Sequence, residues 1–346
     1  MAALPVAACG QKSNGQTIPA NLPPLKSVAP FPIGCAVTAE RLVDPAFAAL
    51  VVDQVSQLTA EWQMKMEYIL QADGTFRFTA PDAIAAFARD HGLRLFGHNL
   101  IWYAQDPVAF ERLNGQPKAF ADAYRNYILA VAGRYRGQAV GWDVINEPIA
   151  EDGEGLRECL WSRNLGPIDY MRRAFDHARE ADPHAVLLLN DYNLESNPRK
   201  RATFLRLVDD LLKAGAPLGG FGTQSHIAAD LDPHALDAAM HDLASFGLPI
   251  HVSELDISLN RARGLFAHRA DLEAKQDRLA RELARVFADL PARQRFAFTL
   301  WGLRGADSWL RNPKENPSPP WDQPLPFDDA GRPRAMLAAL EAGFRK

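Results

Sequence analysis

Short apolar runs alternate with amphipathic helical patterns along the chain from residue 31 onward, and Gly or Pro residues separate them. Strands that alternate with helices in this way pair in parallel through right-handed crossovers. The pattern therefore predicts an α/β fold built on a parallel sheet. Eight apolar runs are strand-like: 31–37, 58–62, 94–102, 139–147, 185–193, 220–227, 249–257 and 295–303.

Signals for helix ends lie between these runs. Thr79 is typical of a helix start and Gly92 of a helix end, and Asp232 with Pro233 opens a further helix that ends before Gly247. Eight strand–helix units fit a closed (β/α)8 TIM barrel better than an open sheet. The barrel is expected to be a single domain of residues 31–346. Other helical patterns cover residues 270–289 and about 333–345.

The overall composition excludes several classes of function. The 346 residues carry a formal net charge of −4, so no basic surface for nucleic acid is expected. No apolar run reaches the roughly 18 residues of a membrane span. Cys9, Cys35 and Cys159 lack the spacing of a metal site, and no cofactor is expected.

Residues 1–30 are rich in Pro, Gly, Asn, Gln and Ala and predict a disordered N-terminal tail. Val6-Ala7-Ala8-Cys9-Gly10 resembles the cleavage box of a bacterial lipoprotein signal, in which Cys9 would carry lipid. The preceding residues contain no Lys or Arg and are too few for a signal peptide. A chance match and the remnant of an export signal both remain open. An unmodified Cys9 in mass spectra of the native protein would exclude the lipid anchor.

Two glutamates are the main candidates for chemistry. Glu147 ends the fourth run and Glu254 lies late in the seventh, at the barrel end where active sites lie. Isolated buried carboxylates are costly, so a pair of them indicates function. Other polar or aromatic residues lie late in, or soon after, the remaining runs: Glu61, Lys65, His98, Trp102, Gln105, Asn190, Asn193, Gln224, His226 and Trp301.

A carboxylic acid and a carboxylate about 5–5.5 Å apart are what retaining glycoside hydrolysis requires. Glu147 follows an apolar strand and precedes Pro148, which favours a desolvated, protonated acid/base. His226, on the neighbouring strand, is expected to bind Glu254 and keep it ionised as the nucleophile. Asp256 shares a strand face with Glu254 and is expected to hold the other side of the imidazole. A buried Glu–His–Asp network that serves only structure is the alternative.

Sugar-binding candidates surround this pair. Asn146 is expected to donate to a hydroxyl of the reacting sugar. Aromatic faces match the C–H surface of a pyranose, although a single Trp is usually a core residue. Trp102, Trp301 and Trp309 are the aromatic candidates, and Lys65, His98, Gln105 and Gln224 are the hydrogen-bonding candidates.

The chain from about residue 31 to 345 resembles the retaining endo-β-1,4-xylanases of glycoside hydrolase family 10. The matching segments are 97–102 with Gln105, Trp-Asp-Val-Ile-Asn-Glu at 142–147, Asn-Asp-Tyr-Asn at 190–193, and those at 224–226, 254–256, 301–302 and 307–309. The resemblance implies Glu147 as acid/base, Glu254 as nucleophile, and His226 and Asp256 as residues that tune Glu254. It implies Asn146, Lys65, His98, Trp102, Gln105, Trp301 and Trp309 on the glycone side and Tyr192 at the aglycone. Glu61, Trp62 and Gln224 are further candidates for binding the substrate.

The resemblance further implies xylan or xylo-oligosaccharides as the substrate. A monomer that is secreted, periplasmic or anchored to the outer envelope of a bacterium is expected. Two positions depart from the family pattern: Trp62 occupies the place of an Asn that binds the far glycone sugar, and Tyr103 that of a second His. An indole can stack on a sugar but cannot make two amide hydrogen bonds to it.

Three alternatives remain beside a xylanase. The same mechanism on a cellulose-like, aryl or decorated β-glycoside is compatible with Trp62. A non-catalytic carbohydrate-binding barrel would be expected to lack one of the two glutamates. A metal hydrolase would need a ligand set that no single helix or strand of the chain offers, and activity that survives EDTA would exclude it. Its candidate ligands are Asp143, Glu147, His226, Glu254 and Asp256.

Overall fold

The computed structural model describes residues 12–13, 16–17, 22–262, 268–312, 314, 316 and 318–345. Within these residues, eight parallel strands close into a barrel, because the last strand pairs with both the first and the seventh. The predicted (β/α)8 architecture is therefore confirmed. The barrel strands are β1 Ile33–Val37, β2 Gln57–Ala60, β3 Arg94–Trp102, β4 Ala139–Asn146, β5 Val186–Asp191, β6 Gly220–Thr223, β7 Ile250–Ser258 and β8 Arg295–Leu300.

The helices pack outside the strands, and each barrel strand is followed along the chain by at least one helix. The predicted starts at Thr79 and at Asp232–Pro233 are confirmed, and Asp232 caps its helix by accepting from the backbone N–H of His234. The described helices are α1 Leu25–Val28, α2 Pro45–Gln54, α3 Met66–Ile69, α4 Thr79–Asp90, α5 Val108–Glu111, α6 Pro117–Arg134, α7 Leu160–Leu165, α8 Asp169–Ala181, α9 Pro198–Lys213, α10 Pro233–Ala244, α11 Arg269–Asp289 and α12 Ala335–Phe344.

The sixth predicted run is divided in the structure. Strand pairing is interrupted after β6 at residues 224–225, where Ser225 has a φ of 59°. A short extension, His226–Ala228, then pairs with the end of β7, and His226 lies in register with Asp256. The break separates Gln224 from His226 at the barrel mouth, where both side chains serve the site described below.

The barrel interior is closely packed, and one glycine shows how closely. Trp142 on β4 is fully buried. A Cβ atom on Gly97 of β3 would lie 2.1 Å from the Trp142 ring. Only glycine therefore lets this indole pack directly against the backbone of β3. The packing of Trp142 against β3 thus holds the end of β4, which leads into Asn146 and Glu147, in place.

The N-terminal segment differs from the predicted tail. Lys12–Ser13 and Gln16–Thr17 pair as antiparallel strands, and α1 packs its buried Leu25 onto the barrel. Phe31 contacts Phe287 and Phe344 edge to face, with ring centroids 4.9 and 5.3 Å apart. Residues 22–30 therefore belong to the barrel. A helix of four residues is too short for periodicity to reveal it. Cys9, the candidate site of a lipid anchor, lies outside the described residues.

None of the described helices is long and apolar enough to cross a lipid bilayer. Cys35 and Cys159 are both buried free thiols.

Candidate active site

A cleft of about 1110 Å³ opens at the C-terminal ends of the strands. The lining includes the predicted residues Glu61, Trp62, Lys65, Trp102, Glu147, Tyr192, Gln224, His226, Glu254, Trp301 and Trp309. It also includes residues that the sequence did not single out, among them Arg41, Glu67, Glu151, Arg261 and Arg311. Four predicted residues are instead buried behind this lining: His98, Gln105, Asn146 and Asp256. Eleven of the fifteen predicted residues therefore share one surface.

Glu147 is held by its own backbone and by three donors. Its φ is 56°, a left-handed conformation that is rare outside glycine, and its N–H donates to the carbonyl of Asn190 at 2.7 Å. Trp102 Nε1 donates to Oε2 at 2.8 Å. Oε1 accepts from Gln224 Nε2 at 2.8 Å and from Asn146 Nδ2 at 3.1 Å. Both carboxyl oxygens thus have fixed directions at the cleft wall.

Glu254 is more deeply buried and faces different partners. Its Oε1 accepts from Asn190 Nδ2 at 2.9 Å, and its Oε2 lies 3.3 Å from His226 Nε2. Burial alone would raise the pKa of Glu254, but His98, His226 and Lys65 outweigh that effect and lower the pKa to about 2. Glu254 is therefore an ionised carboxylate over the whole range in which proteins are usually assayed.

His226 bridges two carboxylates. Its Nδ1 lies 2.9 Å from Asp256 Oδ2, which also accepts from Trp309 Nε1 at 2.8 Å. Burial opposes protonation of His226, yet Asp256 and Glu254 together raise its pKa to about 10. The imidazolium donates from both ring nitrogens. The Glu254–His226–Asp256 contact that strand alternation predicted is present.

Asn190 is a central residue that the predicted site did not include. Its Nδ2 donates both to Glu254 and, at 2.8 Å, to Asn146 Oδ1, while its Oδ1 accepts from Ser253 Oγ at 2.8 Å. A Cβ atom on Gly222 would lie 2.2 Å from Asn190 Oδ1, so this amide needs the neighbouring glycine. Its place at the end of the fifth apolar run was the signal in the sequence. Asn190 ties the two glutamates into one hydrogen-bonded network.

His98 and Gln105 were expected to contact sugar hydroxyls directly, but the structure buries both. His98 Nδ1 lies 2.8 Å from Asp143 Oδ2, and the His98 ring packs edge to face on Trp301 at 5.2 Å. Burial raises the pKa of Asp143 to about 6, although His98 opposes this. Gln105 is 4% exposed, and no described residue bonds its side-chain amide. His98 thus supports Trp301 from behind the cleft.

One wall of the cleft carries charged and aromatic residues from the loop after β2. Glu61 forms an ion pair with Arg41, and Lys65 Nζ lies 4.7 Å from the centroid of the Trp102 ring. Trp62 is 38% exposed and packs edge to face on Tyr68 at 5.3 Å. This wall therefore offers an open indole face next to a cation.

Another part of the cleft wall is built around Tyr192. Its hydroxyl contacts Glu151 and accepts from Arg157 at 2.6 Å, while Lys200 Nζ lies 3.4 Å from its ring centroid. Arg157 also stacks on Tyr103, with its guanidinium carbon 4.0 Å from the ring centroid. Tyr103 thus binds an arginine at the position where the family pattern has a histidine. Arg157 and Glu151 lie in a loop without apolar periodicity, so no pattern in the sequence marks them as site residues.

The chain matches a known protein family over most of its length. The family described as Glycosyl hydrolase family 10 matches residues 25–342. The chain belongs to glycosyl hydrolase family 10. The match begins at Leu25, the first residue of α1, in agreement with the place of that helix on the barrel.

Known members of family 10 resemble this chain over most of its length. Endo-1,4-beta-xylanase A of Thermoanaerobacterium saccharolyticum is 34% identical over 92% of this chain and 28% of that protein. Exoglucanase XynX of Acetivibrio thermocellus is 34% identical over 92% of this chain and 29% of that protein. The structure of a thermostable mutant of xylanase Xyn10A from Cellvibrio japonicus superposes with a TM-score of 0.84 at 29% identity, covering 93% of this chain and 100% of that one.

This family 10 chain spans less than a third of the length of those two curated relatives. Within the part of the chain that the structure describes, no group of three or more His, Cys, Asp or Glu side chains is placed to hold a metal ion.

Proposed function

We propose that this family 10 protein is an endo-β-1,4-xylanase that retains the configuration of the anomeric carbon. The observation that carries the proposal is the unequal surroundings of Glu254 and Glu147 at one barrel mouth. Glu254 lies against the imidazolium of His226 and remains an ionised nucleophile. Glu147 lies at the cleft wall with both oxygens oriented by donors, in position to exchange a proton with substrate.

In the first step, a Glu254 oxygen attacks the anomeric carbon while the glycosidic C–O bond breaks. Glu147 donates its proton to the departing oxygen, so the leaving sugar departs as a neutral alcohol. The product is a glycosyl ester on Glu254. Asn190 holds the other Glu254 oxygen at 2.9 Å and so directs the attack.

In the second step, Glu147 accepts a proton from water, and the water oxygen attacks the anomeric carbon. The ester bond breaks, and Glu254 leaves as a carboxylate that His226 stabilises. Two inversions at one carbon give net retention. Glu147 regains its proton, which restores the starting state.

The two glutamates are distinguished by their alanine variants. Glu254→Ala is expected to lower kcat on xylan by at least about 10⁴-fold, because no covalent intermediate forms. Azide should restore part of the turnover and give the α-glycosyl azide. Glu147→Ala should still form the intermediate from aryl xylobiosides with good leaving groups, since these need little acid assistance.

Glu158→Ala is the matched control, because the Glu158 side chain is 78% exposed and does not line the cleft. It should behave as the wild type. Substantial hydrolysis of xylan by both the Glu147 and the Glu254 variant would refute the assignment, and β-azide from Glu254→Ala would reverse the two roles.

A second candidate keeps the mechanism and changes the substrate to another β-glycoside, such as a cellulose-like or decorated chain. It is favoured by Trp62, which is exposed in the cleft where the family pattern has an Asn. The relative named an exoglucanase is compatible with this reading. Whether the substrate is xylan or another β-glycoside, Trp62 would bind the sugar at this wall by stacking, in place of two hydrogen bonds from an amide.

Trp62→Asn tests this wall. If the substrate is xylan, the new amide should raise kcat/KM for xylotriose and longer oligomers by about fivefold, the value of one hydrogen bond. Trp321→Asn is the control, because Trp321 is 40% exposed but does not line the cleft. If Trp62→Asn has the same kcat/KM for the oligomers as the wild type, Trp62 does not contact the substrate. A higher kcat/KM for cello- than for xylo-oligomers in the wild type would favour the second candidate.

Intact xylan is a polysaccharide too long to cross a membrane, so an enzyme that cleaves the intact polymer works outside the cytoplasm. We therefore propose a secreted, periplasmic or envelope-anchored location and a monomeric state. Sedimentation of the purified protein as a dimer would contradict the proposed monomeric state.

A further inference from the structure

Three arginines line the described part of the cleft, and one of them lacks an acidic partner. Arg41 forms an ion pair with Glu61, and Arg311 forms one with Asp329 at 2.5 Å. Arg261, just after β7, forms no ion pair with any residue that the structure describes. Its charge is therefore available to a molecule in the cleft.

The position of the Arg261 side chain is fixed by an aromatic contact. The guanidinium carbon lies 5.0 Å from the centroid of the Trp309 ring, and Nη2 lies 3.4 Å from Asn316 Oδ1. Trp309 in turn packs on His226 at 5.0 Å and donates to Asp256. Arg261 thus lies one aromatic ring away from the Glu254–His226 pair.

The backbone of Arg261 is also anchored. Its N–H donates to Ser258 Oγ at 3.0 Å, and this hydroxyl donates to Asp322 Oδ2 at 2.7 Å. The other Asp322 oxygen accepts from Leu259 N at 2.9 Å. Both Ser258 and Asp322 are fully buried. Asp322 therefore holds the turn beneath Arg261 without binding its guanidinium. Since no described carboxylate forms an ion pair with this guanidinium, a ligand meets a preorganised cation.

We propose that Arg261 binds the carboxylate of a uronic-acid branch on the xylan chain, so that acidic glucuronoxylan is the preferred substrate. This inference rests on the proposed function and names its substrate class. A guanidinium presents parallel N–H donors that match a carboxylate, and it remains charged at any working pH. A neutral branch such as arabinose offers only hydroxyls and gains no ion pair.

The test compares glucuronoxylan with the same polymer after its uronic carboxyls have been reduced to alcohols, which keeps the size of the branch. The wild type should show a higher kcat/KM on the acidic polymer. Arg261→Gln should lower the ratio of the two kcat/KM values by about two- to fivefold, as for one partly exposed ion pair. In 1 M NaCl the wild-type ratio should fall toward that of Arg261→Gln, because salt screens this contact.

Arg89→Gln is the matched control, because Arg89 lies in the last turn of α4, is 68% exposed, and belongs to the other end of the barrel. Its ratio should equal that of the wild type. A wild-type ratio of one, or an Arg261→Gln ratio equal to the wild type, would overturn the inference. Hydrolysis of linear xylohexaose by the wild type is measured in parallel. If xylohexaose is hydrolysed but the inference about Arg261 fails, the proposed function still holds. If xylohexaose is not hydrolysed, both the inference and the proposed function are overturned.

Discussion

At the scale of single residues, the site depends on which groups surround each glutamate. The contact between His226 and Asp256 could be predicted, since Glu254 and Asp256 share a strand face and His226 lies on the neighbouring strand. The donation from Trp102 to Glu147, and from Asn190 to Glu254, could not be. These bonds depend on side-chain rotamers and on space left by Gly222, which no linear pattern records.

The pKa shifts of Glu254 and His226 predict how the stability of the protein depends on pH. The pKa of Glu254 in the folded protein lies below its usual value of 4.5, so its stabilising contribution is present above pH 4.5 and is lost as the pH falls toward 2. The folded pKa of His226 lies above 6.5, so its contribution is present below pH 6.5 and is lost as the pH rises through about 10. Both contributions to stability are therefore complete between about pH 4.5 and 6.5, although Glu254 and His226 keep their charges over a wider range of pH.

His226→Gln tests this prediction. Loss of the imidazolium should raise the pKa of Glu254, so the acid limb of kcat/KM for an aryl xylobioside should move up by roughly one pH unit or more. Circular dichroism at each pH separates this effect from acid unfolding. His234→Gln, an exposed histidine near the start of α10, should leave the profile unchanged. An acid limb at the wild-type position in a folded His226→Gln would contradict the prediction.

At the scale of elements, the sequence predicted every barrel strand but not their exact ends. Apolar residues continue beyond the last hydrogen bond between neighbouring strands, so an apolar run overestimates the length of a strand. The eighth run, 295–303, is for this reason longer than β8, which ends at Leu300. The break after β6 needs a left-handed Ser225, and the residue type gave no sign of it because glycine is the usual signal. Helix α1 has a single buried residue, Leu25, and one residue creates no periodicity.

Helix α1 offers a stability prediction. Leu25 is 1% exposed, so Leu25→Ala should lower the free energy of unfolding by about 2–4 kcal/mol through lost burial and an unfilled cavity. Leu212→Ala on α9 is the control, since Leu212 is 37% exposed and should change the stability by less than about 1 kcal/mol. Urea unfolding followed by tryptophan fluorescence measures both. Equal destabilisation by the two variants would show that residues 22–30 add nothing to the barrel.

At the scale of the whole molecule, the count of eight strand–helix units was sufficient to predict a closed barrel. The unit count fixes the number of strands, and a parallel sheet of this size with one helix per strand closes on itself. The shape of the cleft was beyond the sequence. It depends on long loops after β2, β3, β4 and β8, whose side chains pack through contacts such as the stacking of Arg157 on Tyr103.

Both ends of the folded barrel lie on the side away from the cleft. Leu25 N donates to Gln54 at the end of α2, and Phe31 packs on Phe344 at the end of α12. Helices that follow barrel strands run back toward the opposite face, so these helix ends lie at the base. A tether to any neighbouring module or to a cell surface would therefore leave from the base. The cleft faces away from that base, so a tether there would leave the proposed substrate free access to it.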